Sequence, residues 1–204
     1  MAFPLSLPDS TSVARVEFGR RAAVGRFVSP TTFESEIQVH AGQSWYGAVS
    51  TIPMTRAQAA PWRAWLAELN GIEGTFLIGD EGNLTPNGTV TGTPLVNGAS
   101  QTGSSLIIDG ATVSLSPWVK AGDYFTLGTG TSTRLYTVLA DANSDGSGNV
   151  TMTIWPNLRS SPSNNDTVTF STPRGTFRML ENSAEWLQLQ NQLITLSFEF
   201  AEAL

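Results

Sequence analysis

The sequence predicts a mainly β protein with one α-helix and a second, small β domain inserted into the first. Three observations predict this. Short apolar runs of period two recur along the chain between turn residues, and Gly and Pro together number 30 of 204 (19 + 11). One stretch alone has a strong helical period. Finally, EGTFLI at 73–78 is echoed by RGTFRM at 174–179. Chance accounts for three matching residues; the structural reading is that both strands share one sheet and that the chain between them is an insert, entering and leaving where two ends lie close together.

The elements follow in order. Val13, Val16 and Phe18 share one strand-like run, Ile37 and Val39 alternate within ESEIQVHA, and SWYGAVSTI (44–52) is rich in aromatic and β-branched residues. Each reads as a half-buried strand. In MTRAQAAPWRAWLAELNG, Trp62, Trp65, Leu66 and Leu69 fall at i, i+3, i+4 and i+7, the apolar face of a helix that packs across a sheet. Thr55 and Gln58 form a capping box, Pro61 belongs in the first turn or marks a kink, and Gly71 supplies a left-handed cap. EGTFLIGD (73–80) is a short strand, and 81–105 is loop or a weak strand pair.

SLIIDG (105–110), DYFTLG (123–128), TRLYTVLA (133–140), NVTMTIWP (149–156) and TVTF (167–170) then follow at the spacing of a small barrel or sandwich. ENSAEWLQLQNQ (181–192) reads as a strand and turn. In LITLSFEFAEAL, Ile194, Leu196, Phe198 and Phe200 line one face and Thr195, Ser197 and Glu199 the other, a one-sided antiparallel strand. The implied division is residues 1–82 with 174–204 as one domain and 83–173 as the insert.

Composition excludes much chemistry. With no cysteine and one histidine, His40, thiolate sites are impossible, imidazole clusters are nearly so, and any Ser-His-Asp arrangement would run through His40 alone. The net charge is −6, Lys120 is the one lysine, and Arg20–Arg21 is the densest basic spot. A nucleic-acid or anionic membrane binder needs a basic face that is missing. No apolar run approaches the length of a membrane span, and MAFPLSLPDS lacks the charged and apolar regions of a signal peptide; synthesis and folding in a cytoplasm are expected. Asp80 and Glu81 are adjacent, so on a strand they point to opposite faces. No phosphate-binding, nucleophile-elbow or dinucleotide motif occurs. The expectation is no catalytic residues, no cofactor and no enzyme activity.

Two local features stand out. In DANSDGSGNV (141–150), Asp141, Asn143 and Asp145 mimic half of a calcium loop, but Met152 occupies the twelfth position where a bidentate Glu is required, and strands flank the stretch. A hairpin connection is the favoured reading, with a weak cation site on those three residues as the other. In NVTMTIWP, Trp155 shares parity with Asn149, Thr151 and Thr153 rather than with Val150, Met152 and Ile154. Tyr124 and Tyr136 fall out of phase in the same way. Such aromatics either fold back over a core at strand ends or form a platform for a sugar or a partner; with Trp118 they sketch an aromatic surface on the insert.

The stretches T-R-A-Q … W-R-A-W-L … L-N-G … G-T-F-L-I-G-D at 55–80 and W-V-K-A-G-D-Y-F-T-L-G … R-L-Y-T-V-L-A-D-A-N-S-D-G-S-G-N-V … I-W-P-N-L-R at 118–159 resemble the distal tail and tail-hub proteins of long-tailed bacteriophages and prophages. The resemblance implies a tail-tube-like β-sandwich or split barrel with one helix. It implies an inserted peripheral barrel of OB-like or carbohydrate-binding-module-like form. It also implies a ring, usually of six copies, at the far end of the tail tube in the virion, joining tube to tip or baseplate while DNA passes through the lumen without specific binding. The family brings no catalytic residues. Six copies of an acidic chain would carry about −36 (6 × −6), which suits a channel DNA must not stick to. Two rivals compete with this expectation. One is a carbohydrate-binding module acting through Trp155, Trp118, Tyr124 and Tyr136. The other is a glycan hydrolase, for which no paired carboxylates are readable.

Overall fold

The structure is a computed structural model and describes residues 3–189 and 191–204. In chain order the elements are β1 (Leu5–Ser6), β2 (Val13–Val28), β3 (Ser35–Thr51), α1 (Arg56–Leu69), β4 (Phe76–Ile78), β5 (Gly92–Val96), β6 (Ser105–Ala111), β7 (Tyr124–Leu127), β8 (Arg134–Val138), β9 (Val150–Trp155), β10 (Val168–Thr169), β11 (Gly175–Met179), β12 (Glu185–Gln188) and β13 (Ile194–Glu202). They form a seven-stranded sheet ordered β1-β4-β11-β13-β3-β2, with β12 also on β13, and a six-stranded sheet ordered β10-β7-β8-β9-β6-β5. The fold is mainly β with one helix, as expected.

The two GTF strands are neighbours. β4 and β11 pair antiparallel, Phe76 opposite Phe177 and Ile78 opposite Gly175. All strands of the second sheet lie between them in sequence, so that sheet is entered and left at adjacent points. Backbones crowd at this crossing: a Cβ on Gly79 would collide with the Pro173 carbonyl, so only glycine fits there.

Helix α1 lies over the inner face of the first sheet. Thr55 Oγ1 accepts from Gln58 N while Gln58 Oε1 accepts from Thr55 N at 2.9 Å, so two otherwise unpartnered donors are satisfied reciprocally. Trp62, Trp65, Leu66 and Leu69 are all buried. Trp65 meets Phe76 and Phe198 at ring separations of 5.2 and 5.6 Å, and Trp62 Nε1 donates to Ser12 Oγ at 2.8 Å. Of the two places expected for Pro61, the first turn is excluded, since it sits further inside the helix. The cap differs from expectation: the left-handed cap is Asn70 (φ 51°), with Gly71 (φ 69°) continuing the reversal. Asparagine's short polar side chain tolerates that conformation, so glycine was not needed at the cap itself.

The second sheet curls into a nearly closed barrel. A bridge joins Leu95 to Thr167, and Val96 N donates to Asp166 O while Asn165 N donates to Val96 O, both at 2.9 Å. Its interior holds Val96, Leu106, Trp118, Phe125, Tyr136 and Met152. The 81–105 stretch contributes only β5 to this barrel.

The largest departure is at the hairpin of β2 and β3. These strands are 16 and 17 residues long, whereas β13 pairs with β3 only over Tyr46–Ser50. The outer part of the hairpin runs past the sheet as a free two-stranded arm. Ile37 and Val39, expected to be half-buried, are instead exposed, Val39 by 75%, because among the described residues no element other than β2 pairs with them.

Candidate functional site

Two features carry the functional geometry: the arm and the seam that joins its base to the barrel.

The arm overhangs by about 25 Å at the ordinary rise per residue. Paired residues of an antiparallel ladder share a face, so the register Val24–Val39, Arg26–Ile37 and Val28–Ser35 puts Val24, Val28, Ile37 and Val39 on one side. Further down β2 the same parity gives Val16 and Phe18, which pack into the first core. Past Arg20, Ala22 and a register shift between Ala22 and Val24, apolar side chains return on that side, with Arg26 among them and no core beneath. At the tip Phe33 adopts a left-handed conformation (φ 58°) and is 79% exposed. Phe27 is exposed on the opposite face. An isolated two-stranded hairpin is marginal in water, and exposed apolar side chains clustered on one side of it mark an interaction surface. His40 lies on this arm in solvent.

The seam begins where the arm ends. Arg159, just after β9, pairs with Glu202 of β13, Nε to Oε1 at 3.0 Å and Nη2 to Oε2 at 2.5 Å, and its Nη2 also donates to the Gln43 carbonyl at 2.6 Å. Glu202 accepts from Trp45 N at 3.3 Å, and Gln43 Oε1 accepts from Asn157 N at 2.7 Å. The Arg159 and Glu202 side chains are only 15% and 2% exposed, so the pair is largely desolvated and its lone pairs are met by hydrogen bonds, as such burial requires. Trp45 Nε1 donates to the Leu135 carbonyl at 2.9 Å. The Arg20 guanidinium lies 5.3 Å from the Trp45 ring centre and 5.5 Å from that of Trp155, within cation–π range.

This seam explains the out-of-phase aromatics and corrects the expected aromatic surface. Trp155 and Tyr124 do lie on the barrel's outer face, but Trp45 covers them, at ring separations of 4.5 and 5.8 Å. Trp118 and Tyr136 are buried inside the barrel. Strand β8 is apolar on both faces because it has a core on each side: Leu135 packs into the first core, and Tyr136 stacks on Phe125 at 5.4 Å. Burial pushes the Tyr136 hydroxyl above its ordinary pKa of 10, although the Arg159 backbone N–H donates to it. Tyr124 is raised as well, by burial first and then by the Asp80 carboxylate.

The 141–149 loop is a connection between β8 and β9, and its oxygens are already committed. Asp145 Oδ1 accepts from Ser147 N and Asn149 N, both at 2.8 Å, and Oδ2 accepts from Asn149 Nδ2 at 2.9 Å. These bonds, that from the Asn149 side chain foremost, hold Asp145 below the usual carboxylate range. Asp141 Oδ1 turns away to accept from Ala121 N at 2.8 Å, and Asn143 is exposed. The half-calcium pattern is thus a turn motif. Among the described residues, no group of three or more acidic, histidine or cysteine side chains is placed to hold a metal.

Sequence reasoning missed Gln43, Arg159, Glu202 and Asp123. Buried Asp123 accepts from the backbone N–H groups of Asn87, Gly88 and Lys120 at 2.6, 3.0 and 2.9 Å, pinning two loops to the barrel. Nothing in the local pattern marks these residues, since their partners lie far off in sequence.

The molecule is thus a mainly β scaffold with a helix, a barrel set into it and a polar seam between them. Residues 83–172 match the family model described as distal tail protein pb9, B domain. The match supports the resemblance to bacteriophage distal tail proteins. No curated protein matches the chain.

Proposed function

We propose that this protein is a structural part of a phage tail that closes into a ring, of six copies, at the distal end of the tail tube. Residues 1–82 and 174–204 are its ring-forming domain, and 83–173 its peripheral barrel. The ring joins the tube to the tip or baseplate in the virion, its partners being the tube and hub proteins, and DNA passes through its lumen unbound. The protein is not an enzyme.

The observation that carries this reading is the arm. An apolar stripe that is core at its base and naked beyond it implies a covering surface from another molecule, and a head-to-tail contact repeated by rotation closes a ring. The long open edge of β2 supplies unpaired backbone groups for the same purpose. Supporting it is the match of the inserted barrel to a distal tail family.

Native mass measurement of the purified chain tests this. The expected species is one discrete closed oligomer; a monomer at every concentration would remove the proposal.

A further inference from the structure

Strand β12 presents the other half of the contact. It pairs with β13 alone, so among the described residues no strand covers its outer edge. Its two large apolar side chains are both in solvent, Trp186 by 52% and Leu187 by 62%. Trp186 is held against Arg63 of α1 at 5.9 Å, which fixes its ring without burying it. Register places these side chains on opposite faces. Trp186 lies opposite buried Leu196, on the core side, while Glu185 and Leu187 lie opposite Ser197 and Thr195, on the outer side.

The arm has the complementary order. Val24 and Val28 of β2 continue the core side, and Phe27 lies on the outer side. Charge matches too. Outside the seam, residues 180–204 contain Glu181, Glu185 and Glu199 and no lysine or arginine, whereas Arg21 lies on the Phe27 side of β2. Glu181, Glu185 and Glu199 line an open trough beside β12.

We infer that β12 is the docking edge for the arm of a second copy: β2 of one copy adds to β12 of the next, Trp186 meets the Val24/Val28 stripe, Leu187 meets Phe27, and Arg21, on the Phe27 side at the arm's base, faces the acidic trough. This rests on the ring proposed above. Strand addition supplies backbone hydrogen bonds, and the alternate side chains supply specificity. Neither surface matches itself, so the contact is head-to-tail and repeats around a ring.

The cysteine-free sequence makes the test direct. Leu187→Cys and Phe27→Cys proteins are prepared separately, mixed and mildly oxidised, with Ile107→Cys on the barrel replacing Leu187→Cys as control. The expected result is a heterodisulfide forming at least about tenfold faster than in the control, because docking raises the local thiol concentration. Trp186→Asp, at an exposed position, should keep the monomer's circular dichroism and thermal midpoint yet abolish the oligomer by native mass. An oligomer that forms normally with no enhanced Leu187–Phe27 crosslink overturns the docking edge while leaving the ring intact. A wild-type chain that never oligomerises overturns both.

Discussion

At the scale of single residues, the seam is the costliest place to change. Arg159 and Glu202 are a largely desolvated, hydrogen-bonded pair, and removing one member strands the other. Arg159→Ala should destabilise the fold by about 2–4 kcal/mol, measured by denaturant unfolding. The double variant Arg159→Met with Glu202→Leu should recover most of that loss, because an apolar pair of similar volume leaves no stranded charge. Tyr136 gives a pH signature. Its folded pKa lies above the ordinary 10, chiefly through burial, so the folded state holds that proton more tightly than the unfolded chain. Stability should be level below pH 10 and fall as pH rises beyond it. Tyr136→Phe should flatten that alkaline limb of the unfolding midpoint. None of these partnerships was legible in the sequence: Arg159 and Glu202 are joined only by the tertiary fold. The parity of Trp155 and Tyr124 set them apart from the barrel's inward face, but did not show that Trp45 covers them. The parity assigned to Tyr136 misled, because β8 is buried on both sides and alternation then carries no inside or outside.

At the scale of elements, the helix was the most legible. Four apolar residues at helical spacing, a capping box and a left-handed stop all act within a few residues of one another, so local sequence determines them. The C-terminal strand, with its clean alternation, was equally plain. The arm was half legible. Its strand character was evident, yet Ile37 and Val39 carry the pattern of a buried face in a chain that does not bury them. Periodicity records the need for a cover and not whose atoms supply it. This leads to a prediction at the same scale. Ala22 and Gln43 are opposite one another, so replacing residues 23–42 by Asn-Gly closes a short hairpin at that rung. The shortened protein should keep its thermal midpoint within a few degrees, since the removed residues contact no core, and it should fail to oligomerise. Loss of the fold instead would mean that the arm stabilises its own chain.

At the scale of the whole molecule, two sheets meet along a seam that begins at the root of the arm. Gln43, Trp45 and Arg20, at the arm's base, are held by Asn157, Leu135, Arg159 and Trp155 from the barrel side. That linkage would hold barrel and arm in a fixed relation from copy to copy. The pairing of β4 with β11 was legible in their shared GTF, and the two prove to be hydrogen-bonded neighbours. Closure of the inserted sheet was only partly legible, because its closing bridge joins Leu95 to Thr167, two short stretches with little strand pattern of their own.

Electron microscopy of the purified protein at assembly concentration is the most direct test. The account predicts closed rings with a central hole, each copy's arm lying across its neighbour and the barrels outermost. Single, separate molecules with the arm in solvent, or open chains that never close, would contradict it.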